Sequence, residues 1–214
     1  MSLTLNGTKE RIFDTAVHLI AKNGFEKVSM RDIAGGTGIQ AASIYNHFSS
    51  KEEILETIYQ YFRENRTENR RSVEHIRETI QTGSALDIVT VLSDTAFAFE
   101  EKVTVRMVLI PKIILTRIYD DPRANAFFKQ EWFVTDIAFL RQWLQYAVEI
   151  GRLAKDFDIE SFSMFFWRQL IMMAVWAFAD PDYEVRTLDE EKLLLKMYAA
   201  ILPLKDPQKE SEQG

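Results

Sequence analysis

The 214-residue chain has no cysteine. That excludes disulfides, thiolate metal ligands and cysteine nucleophiles, and it fits a reducing compartment. Glycine and proline are sparse, at eight and five, which rules out collagen-like and low-complexity architectures. The only histidines, His18, His47 and His75, are too scattered for a metal centre or a Ser/His/Asp set to be inferred. The expectation is therefore no cofactor, no metal and no enzyme. Long apolar runs are lacking too: the longest, 170–179, is too short to span a bilayer. The N-terminus shows no charged segment followed by an apolar run, so a cytoplasmic protein with no membrane partner is expected. What remains is 47% hydrophobic and 27% charged residues, the balance of a globular chain of one large or two modest domains.

The net charge of −6 is unevenly spread: residues 1–51 carry +2 and the rest −8. A mildly basic head on an acidic body is the asymmetry expected when one end meets phosphate and the other does not.

No segment alternates with the period of a strand, and the chain reads as all-α with about nine helices. Thr8 or Asn6 can cap a first helix whose buried face is Ile12, Phe13, Ala16, Val17 and Ile20, with Gly24 closing it. Ser50 and Glu53 form a capping box for a helix carrying Ile54, Leu55, Ile58, Tyr59 and Phe62. Helices follow over 85–101 and 103–119, the latter broken or kinked at Pro111. Asp121 and Pro122 start another, ending near Gly151. Two more, 158–179 and 188–202, close the fold, the last capped by Thr187 with Glu190. Residues 205–214 read as a disordered tail.

Residues 29–51 carry the most information. Ser29 with Asp32 makes a capping box, Ile33 and Ala34 give a small apolar face, and Gly38 suits a sharp turn. A second helix over 40–48 then buries Ile44 and Phe48. Two short helices joined through a glycine turn describe a helix-turn-helix, whose second helix enters the DNA major groove. At its start, Gln40, Ala41 and Ser43 are suited to base edges: Gln to adenine, Ala to a thymine methyl, Ser to either. Asn46 adds a further polar group, and Ser29, at a helix N-terminus, can serve a phosphate. Gly35 and Gly36 are poor helix formers, each costing roughly 1 kcal/mol relative to Ala. A loosely held first helix is the expectation.

The run Ile33-Ala34, Gly38, Tyr45-Asn46-His47-Phe48 and Lys51-Glu52-Glu53-Ile54 resembles the DNA-binding signature of the TetR (tetracycline-repressor) family of bacterial transcription regulators. The resemblance implies a three-helix DNA-binding domain over 1–50 and a helical effector-binding and dimerisation domain over 51–204. It implies that Tyr45, His47 and Lys51 meet phosphates, with Arg31 beside them. The body is rich in aromatic and Met side chains, a composition suited to an apolar ligand cavity. For the effector the candidates are Phe97, Arg106, Met107, Trp132, Phe139, Trp143, Phe166 and Met173, with a salt-bridged structural role ranked first for Arg106. For pairing of the last two helices with a second subunit they are Phe162, Phe165, Gln169, Met172, Trp176, Leu194, Met197, Tyr198 and Ile201. The expected function is a homodimeric, ligand-responsive regulator, most often a repressor, on palindromic double-stranded DNA. The alternatives are a regulator answering to a protein partner and an all-α enzyme with an aromatic-lined cavity. The latter would need an aspartate cluster that Asp120-Asp121 does not complete, since position 124 is Ala.

Overall fold

The computed structural model describes residues 5–68, 71–97, 105–179 and 183–205; the side chains of 66–68, 95–97, 107, 174, 176–179 and 183–191 lie outside that description. The helices are α1 (Gly7–Asn23), α2 (Met30–Thr37), α3 (Lys51–Glu68), α4 (Val73–Thr82), α5 (Ala85–Phe97), α6 (Val105–Arg117), α7 (Pro122–Phe127), α8 (Asp136–Glu149), α9 (Ile159–Ala179) and α10 (Tyr183–Ile201). A 3-10 turn, Ser43–Asn46, and a π-helical stretch, Phe128–Thr135, complete the set, and no strand occurs among the described residues. The all-α expectation holds. Ten α-helices stand among the described residues against about nine expected: 40–48 is not one of them, α4 is added, and the π-helical stretch splits one expected helix into α7 and α8.

The chain divides into two compact units, 1–68 with 100–129, and 69–99 with 130–214. In the first, α1 buries the face expected of it, with Ile12, Phe13 and Ala16 wholly enclosed. Ile33 and Ala34 of α2, Ile44 and Phe48 beyond the turn, and Ile54, Leu55 and Ile58 of α3 share this core. The face follows from the i, i+3, i+4 spacing of apolar residues on each helix. α6 continues past Pro111 without interruption. Proline removes one N–H donor from the ladder, and burial of Ile110, Ile113 and Ile114 around it holds the helix together. α3 also extends to Glu68, across charged residues whose helix end the sequence left open.

A charge cluster ties α6 to α7. Asp121 caps α7 through the Arg123 N–H at 2.9 Å and accepts the Arg117 guanidinium at 2.9 Å. Burial pushes the Asp121 carboxyl up, but the hydrogen bonds from Arg123 and Arg117 outweigh it and hold the group at about 2. A depressed carboxyl contributes stability above its ordinary value of 3.8 and loses it as pH falls toward the folded value. Acid titration of unfolding for the native chain and Asp121→Asn should therefore give a difference that is constant near neutrality and shrinks from about pH 4 to pH 2. Beside it, burial pushes the Tyr59 hydroxyl up to about 12.

In the second unit, Arg152 is buried and donates to the carbonyls of Ile80 and Lys205, both at 3.1 Å, and of Gly83. It thereby pins the end of α4 to the residues after α8 and after α10. Trp167 and Phe166 of α9 form the centre of this core with Leu195 and Tyr198 of α10. The capping box expected at Thr187 and Glu190 does not start α10: the helix begins at Tyr183, so both residues lie inside it. The helix resumes two residues past Pro181, earlier than the Ser/Thr-x-x-Glu signal suggested. Residues 98–104, where two predicted helix ends fall, and the tail 206–214 lie outside the described residues. Among the described residues no helix is long and apolar enough to cross a membrane.

Candidate nucleic-acid interface

The reading head is built as its sequence dictates. The Ser29 hydroxyl accepts the Asp32 N–H at 3.2 Å, and the Ser29 N–H donates to the Asp32 carboxylate at 2.8 Å. This reciprocal box starts α2. The Ser29 hydroxyl and N–H hold the Asp32 carboxyl below its ordinary range. At the other end Gly38 takes the left-handed conformation, φ 73°, and its N–H closes on Gly35 O at 3.1 Å. Arg11 of α1 donates to the Thr37 carbonyl at 2.6 Å, so the start of the turn is held to the core by a charged donor.

After the turn the structure departs from expectation. Residues 40–48 do not form an α-helix; the regular part is the 3-10 turn Ser43–Asn46. The Ser43 N–H donates to Gln40 O at 2.9 Å and the His47 N–H to Ile44 O at 3.0 Å, both spanning three residues. Such tight winding is usual in pieces this short. Ile44 and Phe48 are buried, which turns the other side of the element outward. Gln40, Ala41, Tyr45 and Asn46 are exposed, and Ser43 and His47 half-buried. Tyr45 leaves 57% of its surface open, which separates it from a packing residue.

Gly36 was read from sequence as a weakness, and the structure gives it a purpose. A Cβ at Gly36 would lie 2.8 Å from the Thr15 methyl and 3.6 Å from Leu19 Cδ1, whereas one at Gly35 would meet nothing within 4 Å. Close approach of α1 and α2 requires the second glycine and not the first. No pattern in the sequence distinguishes the two.

The start of α3 completes the head. The Glu53 N–H donates to the Ser50 hydroxyl at 3.1 Å, while the Glu53 carboxylate reaches back to Ser49, accepting its N–H at 2.6 Å and its hydroxyl at 2.7 Å. The Ser49 contacts hold that carboxyl below its ordinary range. The two helix starts border one cleft of about 410 Å³, lined by Lys27, Ser29, Tyr45, Ser49, Ser50 and Lys51 among others. Hydroxyls, ammonium groups and a phenol around helix N-termini are chemistry that suits a phosphate. Arg31 stands exposed on the first turn of α2.

The family described as bacterial regulatory proteins, tetR family, matches residues 12–58, the span just described from α1 into α3. Residues 12–58 form a TetR-family N-terminal domain. It is 40% identical over 58 residues to the uncharacterized HTH-type transcriptional regulator YerO of Bacillus subtilis, a match covering 27% of this chain and 20% of YerO. Over 58 residues it is 34% identical to the HTH-type transcriptional repressor KstR2 of Mycobacterium tuberculosis, covering 27% of this chain and 29% of KstR2. The matches to these curated relatives thus span less than a third of their length. Both are transcription regulators rather than enzymes. The solved structure of the ketosteroid transcriptional regulator KstR2 aligns with 95% of this chain and 98% of its own, at TM-score 0.64 and 20% identity. The structure of a SmeT–triclosan complex aligns with 94% of each chain at TM-score 0.66 and 18% identity. These likenesses establish the TetR fold along nearly the whole chain.

Within that fold the residues expected to hold an effector are placed as follows. In the first unit, Arg106 of α6 is gripped by Asp14 at 2.6 and 2.8 Å and by Glu10 at 2.8 Å, the structural role ranked first for it. Its hydrogen bonds to Asp14 raise its proton affinity further. In the second unit, Trp132, Trp143 and Phe166 are buried and Phe139 and Met173 half-buried. The rings of Phe139 and Trp143 lie 6.1 Å apart, and Trp143 meets Tyr146 at 5.9 Å. The side chains of Phe97 and Met107 lie outside the described residues.

For the second subunit, Phe165, Met172, Met197 and Ile201 are exposed by 48–60%, with Gln169 exposed and Leu194 half-buried. Phe162 and Tyr198 instead face inward, with ring centroids 5.5 Å apart. Leu193, 66% exposed, and Val175, 38% exposed, join the outward apolar set, though neither was among the residues expected there. The side chain of Trp176 lies outside the described residues.

Proposed function

We propose that this protein is a ligand-responsive transcriptional repressor acting in the cytoplasm, which binds a palindromic operator as a homodimer and is released by a small apolar or amphipathic effector. The observation that carries the reading is the division of the 40–48 element: Ile44 and Phe48 are buried while Gln40, Ala41, Tyr45 and Asn46 face outward. Residues 1–50 are the DNA-binding part and 51–204 the effector-binding and dimerisation part. Gln40, Ala41, Ser43 and Asn46 touch base edges, Ser29, Arg31, Tyr45 and His47 set the head on the backbone, and Lys51 supports DNA binding beside them. Phe165, Gln169, Met172, Leu193, Met197 and Ile201 form the face that meets the second subunit. Trp132, Phe139, Trp143, Phe166 and Met173 of the second unit supply the effector's surroundings. The KstR2 and SmeT names support an apolar effector class, since one protein is called a ketosteroid regulator and the other is bound to triclosan.

Effector and DNA then oppose each other by one coupling factor, whichever binds first. The test is to select bound sites from a random DNA pool and titrate apolar ligands against the winning site. A two-fold symmetric site with half-sites about 34–36 Å apart is expected. Tyr45→Ala should weaken binding to all sequences alike, while Gln40→Ala should change the preferred base. A Gln40→Ala protein that selects the same site as the native one would remove Gln40 from the reading set.

A further inference from the structure

Phe25 sits in the turn between α1 and α2, 6% exposed, and two cations converge on its ring. The Lys51 ammonium lies 4.1 Å from the ring centroid and the Arg117 guanidinium 4.2 Å from it. Lys51 Nζ also donates to the Phe25 carbonyl at 2.7 Å, and Arg117 approaches Glu26, the next residue, at 3.6 Å. Lys51 opens α3 and Arg117 ends α6. One aromatic ring is therefore held from two helices, by contacts that strengthen as water is excluded.

We infer that Lys51 serves DNA binding as a positioning residue, not as a phosphate ligand: with Arg117 it clamps Phe25 and so fixes the turn that presents Ser29. The inference rests on the DNA-binding reading above and refines the role of one residue in it. The geometry favours it because the half-buried Lys51 stem carries its ammonium onto the turn, with both ring and carbonyl engaged. Reaching a phosphate would draw the ammonium away from both. The turn in question leads directly to Ser29, and Ser29 borders the same cleft as Ser49 and Ser50. Freeing Phe25 lets the start of α2 drift from the start of α3. Arg117 adds the consequence that the end of α6 bears on the same ring as a residue of the reading head.

The experiment compares the native chain with Lys51→Met, Phe25→Leu and the double variant on the selected site, at several salt concentrations. Lys51→Met and Phe25→Leu should each weaken binding roughly tenfold, the scale of losing a desolvated cation–π contact and a charged hydrogen bond. The double variant should be little worse than either, because both remove one clamp. The dependence of log affinity on log salt should keep its slope in Lys51→Met. A slope reduced by about 0.9 for each Lys51 removed marks a lost phosphate contact and overturns the inference. Multiplying losses in the double variant overturn it equally. A readout without DNA runs alongside: the Lys51 ε-methylene protons of the free protein should be shifted upfield by the Phe25 ring and return to ordinary positions in Phe25→Leu. Ordinary positions in the native chain overturn the clamp whether or not DNA binds. Failure of the native chain to select any site overturns the DNA-binding reading instead, and the ring-current result then decides the clamp alone.

Discussion

Phe13→Ala should lower the stability of the first unit by about 3–5 kcal/mol, measured as a shift in the denaturant midpoint at constant slope. Phe13 is wholly buried at the centre of the α1 face. Its ring meets Tyr61 at 5.2 Å and lies 5.4 Å beneath the Arg106 guanidinium. Truncation opens a cavity and also removes the surface on which Arg106 rests while Asp14 and Glu10 hold it. Those carboxylates are partly open to water, so their ion pairs add little alone; the cavity dominates. Phe13→Leu, which keeps most of the volume, should cost much less, below about 1.5 kcal/mol. Equal losses for the two variants would show that the Arg106 contact, not the cavity, sets the cost.

Gly36→Ala and Gly35→Ala should act in opposite directions, though they make the same change at adjacent positions of one helix. At Gly35 the new methyl enters open space, and the gain in helix propensity stabilises by up to about 1 kcal/mol. At Gly36 it meets the Thr15 methyl at 2.8 Å. Thr15 cannot turn away cheaply, since its hydroxyl donates to Arg11 O at 2.8 Å. α2 must then lift from α1, at a net cost of about 1–3 kcal/mol. The lift moves Ser29 and the turn that Arg11 holds, so Gly36→Ala should also lose DNA affinity while Gly35→Ala keeps it. Paired melting curves and binding isotherms check both signs. A stabilised Gly36→Ala protein would mean that the two helices adjust without strain.

The sequence was legible wherever a local rule sufficed. The buried stripe of α1, the Ser29–Asp32 box, the left-handed Gly38 and the Asp121-Pro122 start each depend on residues within a few positions of one another, and each was found. Effects of distant packing were not. Gly36 looked like a flaw because Thr15, 21 positions earlier, is invisible to helix propensity. Pro111 read as a kink or an interruption, and the interruption is absent because the burial of Ile110, Ile113 and Ile114 that carries α6 through it is tertiary. Phe162 and Tyr198 were expected on the face that pairs with a second subunit because α9 is apolar nearly all round and α10 was expected to pair beside it; only packing decides which residues turn inward. The Lys51–Phe25 contact spans 26 residues, and the motif alone suggested a different use for the lysine.

The 3-10 winding after the turn sets a ruler against the DNA. At three residues per turn and about 2.0 Å of rise per residue, Ser43 and Asn46 stand one above the other, about 6 Å apart. Along one strand, bases are spaced by about 3.4 Å. A pair of side chains so stacked is nearly two base steps long, and an α-helix would instead set residues three apart roughly 60° out of line. In a protein that reads DNA with this element, strong base preferences from Ser43 and Asn46 should fall on positions two apart in each half-site, with a weakly specified base between them.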